Sequence, residues 1–206
     1  MKINEIFYSL QGEGQWIGQP NIFIRTTGCN LRCSFCDTKY AYENGAEKTI
    51  DQIIKEIKKF DCKKICITGG EPLVQKEIIE LLEKTKKYDI IIETNGSKKI
   101  DDLLKFQNLI ISMDVKCPSS KMNEHMIFSN LKKLRKKDQI KFIINDKKDY
   151  NYAKKNINKY KPICKKILQP VYKRNINLAD WILKDNLDVI YGIQLHKVIW
   201  GEQRGK

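Results

Sequence analysis

The chain has 206 residues, seven cysteines and a formal net charge of +14, a length that suits one hydrophobic core and predicts a single domain over 1–206. It shows no apolar stretch of membrane length and no secretory leader pattern, so a membrane protein and a disulfide scaffold are both disfavoured and a reducing cytoplasmic setting is expected. The charge excess is mainly lysine, in pairs such as 132–133, 136–137, 147–148 and 165–166, where an ammonium is a solvated point charge rather than a fork for phosphates. Direct nucleic-acid binding is not expected from it.

In chain order, a first strand ends at the turn QGEG over 11–14, and a second strand over 21–25 leads straight into CNLRCSFC at 29–36. Three thiolates, Cys29, Cys33 and Cys36, sit within eight residues. An iron–sulfur cube has four irons and normally takes four thiolates, so a local trio leaves one iron open for chemistry. A structural zinc would close with a fourth Cys or His. The only histidines, His125 and His196, are remote in sequence, and the spacing does not match paired zinc-module arrangements. A zinc-stabilised basic nucleic-acid module is therefore the alternative from a different class. The stretch after the cysteines is short of helical pattern up to a capping box at Thr49 and Gln52, which opens a helix over 49–60.

The remaining elements alternate. Strands are predicted at 64–68, 89–94, 109–115, 139–144, 166–169 and 188–194 from short β-branched runs, with helices at 75–87, 123–136, 150–159 and 178–184 from amphipathic ones. This order predicts an α/β fold of mostly parallel strands joined by right-handed crossovers. The cysteines then fall after a strand's C-terminal end, where parallel α/β sheets and barrels place their sites. Cys62, Cys66, Cys117 and Cys164 lie mostly in apolar surroundings and read as small buried hydrophobes. Cys62 and Cys66 are spaced like two members of a second site but lack a third ligand nearby.

Among the chemistry-bearing residues, Gly69 and Gly70 let backbone approach a ligand closely, and Glu71 can accept a hydrogen bond from an amine. Ser112, Asp114 and Lys116 alternate along a strand and share one face. Arg25 lies where it can take a carboxylate bidentately, or else form a partly buried salt bridge.

CxxxCxxC at 29–36 followed by GGEP at 69–72 resembles the radical S-adenosylmethionine superfamily. QGEG at 11–14, Arg25, and Cys36 followed by Asp37 and Thr38 narrow the resemblance to the 7-carboxy-7-deazaguanine synthase family. It extends through ETNG at 93–96, SMDVK at 112–116, Gln169 before Pro170 and LHKVIWG at 195–201. The resemblance implies a partial (β/α) barrel with a [4Fe-4S] cluster on Cys29, Cys33 and Cys36; the short stretch after the cluster loop departs from the usual six-unit pattern and points to a barrel trimmed there. It implies S-adenosylmethionine held by Phe35, Gly69, Gly70, Glu71, Ser112, Met113, Asp114 and Gln169, and a magnesium ion on Thr38. It further implies a pterin substrate contacted by Leu10, Gln11, Gly12, Glu13, Arg25 and Thr68.

The family reaction contracts 6-carboxy-5,6,7,8-tetrahydropterin to 7-carboxy-7-deazaguanine with loss of ammonia, using a 5′-deoxyadenosyl radical, in queuosine biosynthesis. A flavodoxin or ferredoxin donor and a homodimer are expected from the family alone. The nearest rival is an activating enzyme for a glycyl-radical protein, which the QGEG turn argues against.

Overall fold

The computed structural model describes residues 1–174 and 176–206. Its strands are β1 (Lys2–Leu10), β2 (Pro20–Thr26), β3 (Ala46–Glu47), β4 (Lys64–Gly69), β5 (Asp89–Thr94), β6 (Leu109–Val115), β7 (Gln139–Ile144), β8 (Lys165–Pro170) and β9 (Ile190–Tyr191). The helices are α1 (Ile50–Ile57), α2 (Ile78–Lys84), α3 (Lys147–Tyr160), α4 (Leu178–Lys184) and α5 (Leu195–Trp200). All nine strands form one sheet in the order β3-β1-β2-β4-β5-β6-β7-β8-β9. From β2 to β9 every pairing is parallel, while β1 runs antiparallel to both β2 and β3. The two outermost strands, β3 and β9, do not pair, so the sheet is an open, partial barrel.

Strand alternation gives the sheet two unlike faces. Ile22, Ile24, Ile65, Ile67, Ile90, Ile92, Leu109 and Ile111 join the main core with Ile50, Ile53 and Ile57 of α1 and Ile78, Leu81 and Leu82 of α2. Each such isoleucine contributes about 2 kcal/mol when fully buried. The opposite face carries a small cluster of Phe23, Cys66 and Ile91, packed by Phe7, Trp16 and Ile110; beyond it this face turns polar.

The predicted capping box is present: Gln52 N donates to Thr49 Oγ1 at 3.2 Å and Thr49 N to Gln52 Oε1 at 2.8 Å. Between the cysteines and α1 the chain makes only a 3₁₀ turn at Lys39–Ala41 and the short β3, which is the expected trimming. The predicted helix over 123–136 is replaced by 3₁₀ turns at Asn123–His125 and Phe128–Lys132. Leu131 within the second turn and Leu134 just after it are both buried. Asn130 is wholly buried and donates to Lys98 O, and Ile127 N donates to Gly96 O. These ties hold the segment flat across the loop after β5. Helix α3 begins at Lys147, earlier than the pattern at 150 suggested, because the Asp146 side chain caps it by accepting from Asp149 N at 3.0 Å. The last strand is shorter than 188–194, and α5 was not expected.

Candidate active site

Parallel register stacks the polar face in rows. Phe23, Cys66, Ile91 and Ile110 line up as an apolar floor. One step toward the strand C-termini, Arg25 pairs with Thr68, Glu93 with Ser112, and Ser112 with Gln139. The next row sets Asp114 beside Lys141. The expectation that Ser112, Asp114 and Lys116 share a face holds: Lys116 Nζ reaches Asp114 Oδ2 at 2.9 Å and Gln139 Nε2 donates to Ser112 Oγ at 2.7 Å.

The cysteine loop lies above the C-terminal end of this face. Gly70 N donates to Thr26 O, and Glu71 N to Gly28 O at 2.8 Å. A Cβ at position 70 would lie 2.0 Å from the Gly28 carbonyl oxygen, and Gly69 has φ +120, so the glycine pair presses the strand end directly against the start of the loop. Asn95 Nδ2 lies 3.7 Å from Cys29 Sγ and 3.1 Å from Asn30 Oδ1. Ser34 is held by the carbonyls of Ser119 and Ser120. All three cysteines are free and half-buried, and burial pushes the Cys33 thiol up, with the Lys116 ammonium opposing it.

Among the described residues no three His, Cys, Asp or Glu side chains are gathered closely enough to hold a single metal ion. The trio does not build a mononuclear zinc site, whereas a cube spreads its ligands over separate irons. Three free thiols on one loop, pinned at both ends by backbone, fit the cluster.

The predicted cofactor residues divide by where their side chains go. Glu71 is wholly buried; its carboxylate accepts from Thr94 Oγ1 at 2.7 Å, Asn95 N at 2.6 Å and Leu73 N at 3.0 Å. It ties β4 to the end of β5, and burial pushes its carboxyl up against those bonds. What the segment turns toward the cysteines is the Gly69–Gly70 backbone. Met113 is 2% exposed and packs in the main core, so from this position only its backbone serves the polar face. Gln169 is 1% exposed and its Oε1 has no partner among the described residues, an acceptor in need of a donor. Phe35 is half-buried in the cysteine loop.

On the substrate side, Leu10 closes β1 and is half-buried. Gln11 is buried and donates from Nε2 to Cys66 Sγ and to Glu93 Oε1, both at 3.3 Å. Thr68 donates to Glu93 Oε2 at 2.7 Å. Glu93 is thus held by neutral donors, and burial pushes its carboxyl up while Lys141 opposes. Glu13 pairs with Lys141 and accepts from Gln194 Nε2 at 2.8 Å. Asp114, despite burial, is held below the usual carboxylate range by Lys116 and Lys141. Arg25 forms a salt bridge through one edge of its guanidinium: its Nε donates to Glu5 Oε1 at 2.7 Å, with the guanidinium carbon 5.5 Å from the Phe7 ring centre and 5.6 Å from that of Tyr40. Thr38 Oγ1 donates to Asp37 Oδ1 at 2.9 Å, which leaves the hydroxyl oxygen's lone pairs for another partner.

Sequence reasoning missed Glu93, Gln139 and Lys141; it left open a closure of the site by the C-terminal end, and the contacts fall at Gln194 and α5. Leu195 N donates to Gly12 O at 2.8 Å, and a Cβ on Gly12 would lie 2.0 Å from His196 Nδ1. Lys197 Nζ reaches Asp37 Oδ2 at 2.8 Å and Gln194 Nε2 reaches it at 3.2 Å. Helix α5 and its flank therefore clasp the QGEG turn and the end of the cysteine loop together. Burial pushes His196 below its ordinary value.

The Radical SAM superfamily profile matches residues 23–181, the span from within β2 to within α4. A 7-carboxy-7-deazaguanine synthase of Thermoplasma acidophilum is 36% identical over 208 residues, covering 100% of both chains. Another, of Clostridium acetobutylicum, is 40% identical over 219 residues, covering 98% of this chain and 97% of its own. The crystal structure of QueE from Escherichia coli superposes with a TM-score of 0.76 at 23% identity, covering 95% of this chain and 94% of that one, a likeness of fold. The chain belongs to the 7-carboxy-7-deazaguanine synthase family of the radical SAM superfamily.

Proposed function

We infer that this chain is a 7-carboxy-7-deazaguanine synthase, contracting 6-carboxy-5,6,7,8-tetrahydropterin to 7-carboxy-7-deazaguanine with loss of ammonia. The observation that carries the reading is the end-to-end identity with proteins of that name. The polar rows beneath the cysteine loop supply a matching site. Cys29, Cys33 and Cys36 hold the [4Fe-4S] cluster. When bound and reduced, it supplies the electron that cleaves S-adenosylmethionine to the radical that takes hydrogen from substrate.

The Gly69–Gly70 backbone receives the methionine amine, with Ser112, Asp114 and the unpartnered Gln169 Oε1 further along the cofactor and Phe35 near the adenine. Glu13 and Glu93 meet the pterin's guanidine-like edge, which presents adjacent donors suited to carboxylates, and the turn at Leu10, Gln11 and Gly12 forms the wall behind it. Thr68 holds Glu93 in place for that contact. Arg25 takes the substrate carboxylate through its terminal nitrogens while Nε stays on Glu5.

Thr38 would offer its hydroxyl oxygen to a magnesium ion, which accepts few protein ligands and would supply charge for the substrate carboxylate. The apolar floor of Phe23, Cys66, Ile91 and Ile110 keeps water from below the reacting ring. A flavodoxin or ferredoxin supplies electrons, the product feeds a queuosine-type tRNA modification pathway, and the enzyme works as a homodimer in the cytoplasm.

The test is anaerobic turnover of reconstituted, reduced protein with S-adenosylmethionine, magnesium and the pterin, followed by mass. Appearance of 7-carboxy-7-deazaguanine is expected. Cleavage of S-adenosylmethionine with the pterin left intact would remove the substrate and favour an activating enzyme.

A further inference from the structure

Lys141 is buried, at 6% exposed, on the polar face of β7, and nothing in the sequence singled it out. A lysine buried this deeply is costly unless its charge is met. Here it is met twice: by Glu13 from the β1–β2 turn and by Asp114 from β6, at 3.4 Å. Glu13 belongs to the substrate side of the site and Asp114 to the cofactor side, so one ammonium stands between them.

The two carboxylates depend on it unequally. Asp114 has a second cation, Lys116, at 2.9 Å. Among the described residues Glu13 has no second cation bonded to it; its other hydrogen bond comes from the neutral amide of Gln194. Glu13 also stands near Glu93, whose carboxyl it raises. Without Lys141 two carboxylates on the same side of the site would face each other with no cation bonded to either; the turn itself stays tied to the sheet through Gln11 and Gln15, so what is lost is the fixed position of the Glu13 carboxylate.

We propose that Lys141 is a positioning residue for the pterin: it fixes the Glu13 carboxylate over the polar face and leaves S-adenosylmethionine binding to Asp114 and Lys116. The assignment rests on the substrate role given to Glu13 above. It predicts a split between the two ligands that a merely structural lysine would not produce.

The experiment compares wild type, Lys141→Met, Glu13→Gln and the double variant as cluster-loaded enzymes. Substrate KM and kcat are read alongside the dissociation constant for S-adenosylmethionine. Losing one partner of a buried charge pair predicts a substrate KM raised about tenfold or more in Lys141→Met, with S-adenosylmethionine affinity within about twofold of wild type. In the Glu13→Gln background, Lys141→Met is expected to add little, because the pair acts as a unit.

Equal losses of both affinities, or a KM that Glu13→Gln moves and Lys141→Met does not, overturn the role of Lys141. A KM unmoved by Glu13→Gln removes the substrate role of Glu13 and this proposal with it. If Lys141→Met does not load the cluster, the double variant, which buries no unpaired charge at this pair, takes its place. A KM matching Glu13→Gln is then expected, and a further tenfold loss overturns the proposal.

Discussion

Replacing Gly70 by alanine probes the contact on which the cysteine loop rests. The new methyl would lie 2.0 Å from Gly28 O, 2.5 Å from Gly28 C and 3.1 Å from Cys29 N. All three are backbone atoms, so no side-chain rotation relieves the clash. Restoring ordinary contact distances requires a separation of about 1 Å or more between the β4 end and the loop. The movement breaks the 2.8 Å bond from Glu71 N to Gly28 O and displaces the backbone of Cys29 itself. Overpacking of this kind costs about 1–3 kcal/mol, and the lost hydrogen bond adds about 1 kcal/mol.

Two readouts separate stability from site geometry: urea unfolding of the metal-free protein, and iron and sulfide bound per chain after anaerobic reconstitution. Gly70→Ala is expected to lose stability by about 2–4 kcal/mol, the sum of those terms, and to load less cluster than wild type under conditions where it is still folded. Gly201→Ala, at φ +66 with nothing within 4 Å of its Cβ, is the control: backbone strain alone, and normal loading. Wild-type stability and loading in Gly70→Ala would refute the account of how the glycine pair seats the loop.

Thr38→Val should weaken activation of turnover by magnesium while leaving cluster content unchanged, measured as product rate against magnesium concentration; an unchanged activation curve would release Thr38 from metal binding. Gly12→Ala should raise the substrate KM, because its methyl displaces the His196 ring and with it the closure by α5; a KM equal to wild type would contradict the clasp. Burial lowers the folded-state pKa of His196 from its ordinary 6.5. Its contribution to stability is therefore fully present above pH 6.5 and is lost as pH falls from there through the folded value, where the unfolded chain binds the proton first. The stability of metal-free wild type should drop over that interval more than that of His196→Asn, and parallel pH profiles would show the site to be solvated.

The strands were legible because β-branched runs at 64–68, 89–94, 109–115 and 139–144 stand out from their surroundings, and the cysteine trio because all three thiols lie in one short loop. The 123–136 segment misled because its polar and apolar residues permit a helix, while the ties of Asn130 and Ile127 to the loop after β5 are not written locally. Lys141 and Glu93 were invisible for a different reason. Lys141 sits in QIKFII and Glu93 in DIIIET, where alternation alone reads a charged residue as facing solvent. Only the register of neighbouring parallel strands shows that this face is roofed by the cysteine loop and by α5. Helix α5 itself is six residues long, too short for a period to stand out.

Pterin ring contraction on the polar face is proposed to depend on the cysteine loop above it. The most direct measurement is the yield of 7-carboxy-7-deazaguanine, with ammonia, from 6-carboxy-5,6,7,8-tetrahydropterin, in anaerobic wild type and in Cys33→Ala. Product and ammonia in equal amounts are expected from wild type and neither from the variant. Product persisting in Cys33→Ala, or a pterin untouched by a wild type that cleaves S-adenosylmethionine, would contradict this proposal.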